Sequence, residues 1–445
     1  MAREQDERSP AVPSTARRGE ETRELPERWQ WVEPAIWTGR MITALETGVK
    51  GGRWYSLLDK VAAERTLQAA WTRVQRNRGA AGVDRQSIAA FAAHAERYLT
   101  ELADALRRGR YRPQPVKRVW IEKTGSRERR PLGIPTVKDR IVQTALKLVL
   151  EPIFEAGFAE QSYGFRPGRG CKDALRRVET LLQAGQVWVV DVDIQHYFDT
   201  IPQDRVLAAV EQQVADGRVL DLLRRMLEQG VLEGLERWEP EAGTPQGAVI
   251  SPLLANIYLT PLDHLLGARG WAMVRYADDL VVLCPNRAEA EAALAAIETW
   301  MTAQGLRLHP EKTRIVDARE QGGFDFLGYH FERGMHWPKP ASTKRLRGAI
   351  KAKTRRSRGD SLATIIAELN PIIRGWYSYY RHGHPTTFPR LDGYIRMRLR
   401  SILRKRDGRA GRGRGSDHQR WPNAFFIDHG LFTMTTARRS TGGSR

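Results

Sequence analysis

Apolar residues along this chain change their period from segment to segment, and the period predicts the element. Between positions 54 and 78, Leu57, Leu58, Val61, Leu67, Ala70, Trp71 and Val74 recur three and four residues apart, which predicts a helix ended by Gly79 and Gly82. A second helix is expected over 87–108, stopped by Gly109. Shorter runs predict strands over 116–121 and 129–134 around a turn at 123–127, a buried strand over 186–194, and two strands about a tight turn within 273–284. Helical periods return over 136–158, 204–229, 251–266 and 289–304, the last closed by Gly305, and beyond Pro340 helices carry a basic segment. Helices and strands mix without strict alternation, so the expected class is α+β. Residues 1–30 are rich in Pro, Arg, Glu and Ser and read as a disordered tail. The stretch from Asp407, DGRAGRGRGSD, is too polar and Gly-rich to fold alone and reads as a flexible basic linker.

Composition narrows the partners. The 445 residues are 41% hydrophobic, enough for several cores, yet no run approaches the roughly 20 apolar residues of a membrane span. The N-terminus is charged from its third residue and lacks the apolar centre of a secretory signal, so the expected place is the bacterial cytoplasm, at the nucleoid. Cys171 and Cys284 alone exclude a disulfide framework and a zinc site built on a close cysteine pair. The net charge is +20. From 341 to 420 there are 21 Lys and Arg against five Asp and Glu, so a fifth of the chain carries most of the excess. A localised basic surface of this kind suits the phosphates of nucleic acid.

Candidate chemistry comes from carboxylates. In Tyr276-Ala-Asp278-Asp279, apolar residues flank two adjacent acids, and a strand-to-strand turn would expose them to a neutralising divalent cation. The bland alternative is an ordinary polar hairpin turn. A second apolar strand ends Asp191-Val-Asp193, followed by Tyr197, Phe198 and Asp199. Three carboxylates from two such regions can hold two Mg2+ ions, which clamp the attacking and leaving oxygens of a phosphoryl displacement. Spacing does not separate Asp191 from Asp193, because a strand's two-residue period puts both on one face.

The surrounding sequence resembles the reverse transcriptases encoded by group II introns, over about 54–400. Arg130-Pro-Leu-Gly-Ile-Pro135 with Lys138, Arg140 and Gln143, Ser162-Tyr-Gly-Phe-Arg166, Asp193-Ile-Gln-His-Tyr-Phe198, Thr244-Pro-Gln246-Gly247 with Ile250 to Asn256, the Tyr276 to Asp279 box, Gly305 with Glu311-Lys312-Thr, and Phe326-Leu-Gly-Tyr329 stand in that family's order. The resemblance implies a right-hand polymerase with fingers, palm and thumb, and an RNA-directed DNA polymerase activity with Mg2+ (two ions, Mn2+ as a substitute). It implies metal binding by Asp193, Asp278, Asp279 and the Ile194 carbonyl, and favours Asp193 over Asp191. It places Lys123, Arg130, Phe198, Gln246 and Ala277 at the deoxynucleotide, with Phe198 excluding a ribose 2′-OH; the hairpin at Lys123 is one residue longer than usual. Arg166 reads equally as a fingers residue or as a turn arginine paired with an acid.

The block Pro371-Ile-Ile-Arg374-Gly-Trp376-Tyr resembles the maturase, or thumb, domain of the same family, which grips intron RNA and the template–primer duplex. Cations interleaved with aromatics suggest nucleic-acid contacts by Lys351, Lys353, Arg355, Arg374, Trp376, Tyr379 and Arg381. The alternative is a helix core with Trp and Tyr inward and Arg in solvent, and both can hold at once. The stretch from Trp421 to Phe432 is similar to a terminal motif with plausible DNA contact. No cysteine follows Cys284, so the cysteine-bearing endonuclease domain of other members is not expected. The expected division is a tail (1–30), N-terminal extension and fingers (31–180), palm (181–335), thumb/maturase (336–406), and a basic linker with a DNA-contacting tail (407–445). The expected partners are intron RNA, an RNA template with a DNA primer, target DNA and deoxynucleotides, in splicing and retrohoming by target-primed reverse transcription. Alternatives are a free-standing relative in DNA repair or phage defence, or a splicing-only RNA-binding maturase.

Overall fold

The computed structural model describes residues 26–49, 51–122, 129–234, 236–238, 242–244, 247–413 and 415–441. Lys123 and Gln246 lie outside them, and Arg130 is described by its strand position alone. Three sheets organise the chain. The first has the order β2-β1-β4-β5, from β1 (Val116–Glu122), β2 (Arg129–Ile134), β4 (Val231–Glu233) and β5 (Glu236–Trp238). The central sheet has the order β6-β7-β3-β8, from β3 (Trp188–Asp193), β6 (Ala272–Tyr276), β7 (Asp279–Cys284) and β8 (Arg314–Asp317), all antiparallel. The third joins β9 (Phe324–Phe326), β10 (Tyr329–Glu332) and β11 (Met335–Pro338) in the order β11-β10-β9.

Behind the central sheet lies one continuous apolar core, running from Trp29 to Leu306. Helix α1 (Val137–Glu155) crosses it, started by Thr136, whose hydroxyl accepts the Asp139 amide at 3.1 Å. Helix α2 (Ser251–Ala268), with Pro252 in its first turn, is buried along most of its length against the same core. A second core belongs to α3 (Pro340–Lys353), α4 (Leu362–Tyr380) and α5 (Thr387–Arg406). Phe426, Leu431 and Met434 are buried in that core too, and the Trp421 carbonyl accepts Arg400 Nε at 2.9 Å.

Some expected elements are interrupted. The helix expected over 204–229 is two, Gln203–Glu211 and Gly217–Leu227, because the Asp216 carboxylate accepts the Arg218 and Val219 amides and starts a new helix. The helix over 54–78 breaks into Leu57–Val61 and Glu64–Arg76, and that over 87–108 into Ile88–Ala92 and Ala95–Arg107. The linker expected from Asp407 is pinned: buried Asp417 pairs with Arg404 at 2.5 Å and with Arg409 at 3.8 Å. Residues 421–434 therefore close the second hydrophobic core, and the boundary expected after 406 falls inside it. Among the described residues, no helix is long and apolar enough to cross a membrane.

Candidate active site

β3 carries Val189, Val190 and Val192 into the interior and ends at Asp193. Its neighbour β7 begins at Asp279, and the antiparallel register sets these two aspartates directly opposite each other. Such partners have Cβ atoms about 4.5–5.5 Å apart. β6 and β7 pair through Tyr276 and Asp279, leaving Ala277 and Asp278 as a two-residue turn. Asp193, Ile194, Asp278 and Asp279 thus line one cavity of about 550 Å³. Asp191 lines it too, but one strand repeat deeper, opposite Val281 and Arg314. The register thus sets Asp193, rather than Asp191, directly opposite Asp279.

Cations sit among these acids. Lys312 Nζ is 3.5 Å from Asp193, Arg314 Nε 3.7 Å from Asp191, and Lys339 Nζ 3.4 Å from Asp325 on the same wall. Burial pushes the Asp279 carboxyl up to about 7, against the Leu327 amide and Lys339, which favour its charged form. Burial likewise raises Asp191 to about 6 despite Arg314. Among the described residues no three His, Cys, Asp or Glu side chains are gathered tightly enough to make a ready cation cage. The donor set nevertheless fits Mg2+. It is all hard oxygen, it is open to the cavity, and Mg2+ takes one or two carboxylates plus substrate phosphates. A divalent cation would also ionise the buried Asp279 carboxyl.

The turn is held from behind by groups that carried no sequence assignment. Ala277 has φ +60°, a left-handed conformation costly for a residue with a Cβ. Fully buried Arg275 donates to the Ala277 carbonyl at 3.0 Å, to Asn256 Oδ1 at 2.9 Å, and through Nε to Asp263 at 2.7 Å. Asn256 in turn donates to the Gly164 carbonyl at 2.8 Å. A Cβ on Gly164 would lie 2.2 Å from the Ala277 amide nitrogen, so only glycine admits the turn there. One sign was available beforehand: an arginine within the apolar run Met273-Val274-Arg275 demands a buried partner. Arg166 proves to be the acid-paired turn arginine, bonded to Glu155 Oε1 at 2.6 Å and to the Ser162 carbonyl at 2.7 Å.

A family model described as reverse transcriptase (RNA-dependent DNA polymerase) matches residues 121–331, and one described as the group II intron maturase-specific domain matches 343–421. Protein YkfC of Escherichia coli is 36% identical over 272 residues, covering 52% of this chain and 70% of that protein. The chain belongs to the group II intron-type reverse transcriptases. Group II intron-encoded protein LtrA of Lactococcus lactis is 39% identical over 171 residues, 38% of this chain and 28% of LtrA. The putative COX1/OXI3 intron 1 protein of Saccharomyces cerevisiae is 27% identical over 366 residues, 69% of this chain and 43% of that protein. This chain therefore spans less than half of the two intron proteins' lengths. The expected right-hand polymerase class, RNA-directed DNA polymerase type and need for a divalent metal follow from the family, as do RNA and other nucleic-acid partners.

Elsewhere in this reverse transcriptase the expected residues divide. Phe198 is half-buried beside Tyr197, whose hydroxyl donates into the core at the Ala255 carbonyl. The Phe198 carbonyl accepts the Thr244 amide at 2.7 Å. Arg130 stands opposite Ile121 in the β1–β2 hairpin. On the thumb, Lys351, Lys353, Arg355, Arg374 and Arg381 are exposed. Lys353 pairs with Glu368 at 3.0 Å, and Arg374 covers the Phe432 ring at 4.4 Å. Trp376 and Tyr379, expected as stacking platforms for nucleic acid, turn inward. Trp376 packs against both neighbouring cores, and Tyr379 donates to the Leu327 carbonyl at 2.7 Å while its ring stacks on Tyr329. Their aromatic surface joins α4 to the third sheet while both stay half-buried, the inward packing that the sequence left open beside nucleic-acid contact.

Proposed function

We propose that this chain copies RNA into DNA by Mg2+-dependent attack of a primer 3′-OH on the α-phosphate of a deoxynucleoside triphosphate, with Asp193, Asp278 and Asp279 as the metal-holding carboxylates. The observation that carries the reading is the strand register that sets Asp193 beside Asp279, with Asp278 at the adjoining turn tip. When bound, two Mg2+ ions supply Lewis-acid charge to the attacking and leaving oxygens. The Ile194 carbonyl lies on the same cavity wall and offers a further oxygen. Arg275, Asn256 and Gly164 position the turn, and Lys312 balances Asp193. Phe198 is assigned the exclusion of a ribose 2′-OH, and Lys123, Arg130, Gln246 and Ala277 the triphosphate and base pocket.

The exposed thumb cations would hold intron RNA, so that splicing assistance and retrohoming at target DNA use the same chain, in the cytoplasm at the nucleoid. Asp278→Ala should abolish cDNA synthesis on a primed RNA template and leave RNA binding intact; unchanged polymerisation would sink the site assignment. Phe198→Ala should admit ribonucleotides, and continued strict selection for deoxynucleotides would remove its gate role.

A further inference from the structure

Between the third sheet and the thumb lies a second cleft, of about 420 Å³, apart from the palm cavity. Its walls carry Trp337 from β11, Lys344 and Arg347 from α3, Arg390 from α5, and the hydroxyls of Thr343 and Thr387. Lys344, Arg347 and Arg390 are exposed, and among the described residues none forms an ion pair with a carboxylate. Arg347 leans on the Tyr394 ring at 5.4 Å instead. Both α3 and α5 begin beside this cleft, and neither has an acid in its first turn to offset the positive end of its dipole. The cleft thus holds three cations that no carboxylate among the described residues neutralises, favouring an anion with several oxygens.

The remaining wall is aromatic. Trp337 is half-buried, and the His384 ring lies against it, tilted by 40° at a centroid distance of 5.3 Å. His384 is itself held by Thr386 Oγ1 at 2.9 Å. A flat, supported indole beside phosphate-binding cations suits a base and its phosphodiester together. A base within a duplex is stacked on its neighbours and cannot reach such a ring, so the strand seated here is unpaired. The threonine hydroxyls supply hydrogen-bond partners for a ribose 2′-OH, which favours RNA over DNA.

We infer that this cleft binds one unpaired RNA nucleotide, its base stacked on Trp337 and its flanking phosphates held by Lys344, Arg347 and Arg390. The inference rests on the reading that the thumb side receives RNA, and names the subsite that does so. The test is fluorescence anisotropy of the full chain with a labelled unstructured RNA of about ten nucleotides, compared with the same RNA in a blunt duplex and with DNA of the same sequence. Trp337→Ala should weaken single-stranded RNA binding about tenfold, as expected for one stacked base, without moving duplex affinity or the salt slope. Trp337→Phe should restore most of the loss. Arg390→Gln, at an exposed position that tolerates change, should lower the salt slope by about one.

No loss with Trp337→Ala, or an equal loss for single strand and duplex, overturns the base site. An unchanged slope with Arg390→Gln overturns the phosphate site, and equal wild-type affinity for single-stranded RNA and DNA overturns the choice of RNA. Primer extension by the same variants separates this from the polymerase reading. Intact wild-type extension with no change in anisotropy for Trp337→Ala defeats the cleft alone, and absent extension in the wild type defeats the polymerase reading alone.

Discussion

The palm cavity and the thumb cleft meet nucleic acid with opposite charge strategies. In the palm, acids outnumber their cationic neighbours at the strand ends, and burial raises Asp279 and Asp191. That arrangement is costly until a divalent cation arrives, so the site is poised for metal and phosphate together. In the cleft the cations stand exposed and without acids, which costs little because water solvates them. Strained, buried charge serves chemistry; solvated charge serves grip. The palm turn accordingly has a buried support, Arg275 with Asp263 and Asn256, whereas the cleft cations project from helix surfaces.

Several measurements would break or sharpen this contrast. The largest effect is expected at Asp193: Asp193→Asn should lower primer extension on the order of 10³-fold, with RNA affinity unchanged. A comparable loss from a cleft variant would erase the distinction between the two sites. Next, Arg275→Ala strands buried Asp263 and should cost about 3 kcal/mol of stability in a denaturant titration. A loss below about 1 kcal/mol would mean that the turn does not depend on this pair.

A third effect is pH dependence. Asp279 is raised from 3.8 to about 7 and Asp191 to about 6, so the folded state keeps protons that the unfolded chain releases. Their contribution to metal-free stability is therefore full below about pH 4 and is lost as pH rises through 6 to 7. Mg2+ or Mn2+ should raise the melting temperature more at pH 8 than at pH 6; equal shifts would separate the metal from these carboxyls. The smallest effect belongs to the turn, where Ala277→Gly relieves the left-handed conformation and should stabilise by at most ~1 kcal/mol.

Much of the palm was legible beforehand because its signals are local. Apolar strands ending in acids and a two-acid turn each lie within a few residues of chain. The Asp216 cap was equally local and was overlooked inside a strong helical period. For Trp376 and Tyr379 the sequence left inward packing and nucleic-acid contact both open, for a different reason. They stand among cations in sequence, but α4 is packed on two sides, by the second core and by the third sheet, and a one-dimensional pattern does not reveal the second neighbour. The residues from Trp421 to Phe432 resembled a terminal motif; their burial depends on packing against α4 and α5.

By itself, then, the sequence determined the α+β class, the order of its blocks and the identity of the turn acids, since each follows from period, propensity and motif over short spans. Tertiary structure alone decided that Asp193, and not Asp191, faces Asp279, because register is a relation between strands. Trp337, Lys344 and Arg390 lie on separate elements, and only the packing of α3 and α5 against β11 makes them one cleft.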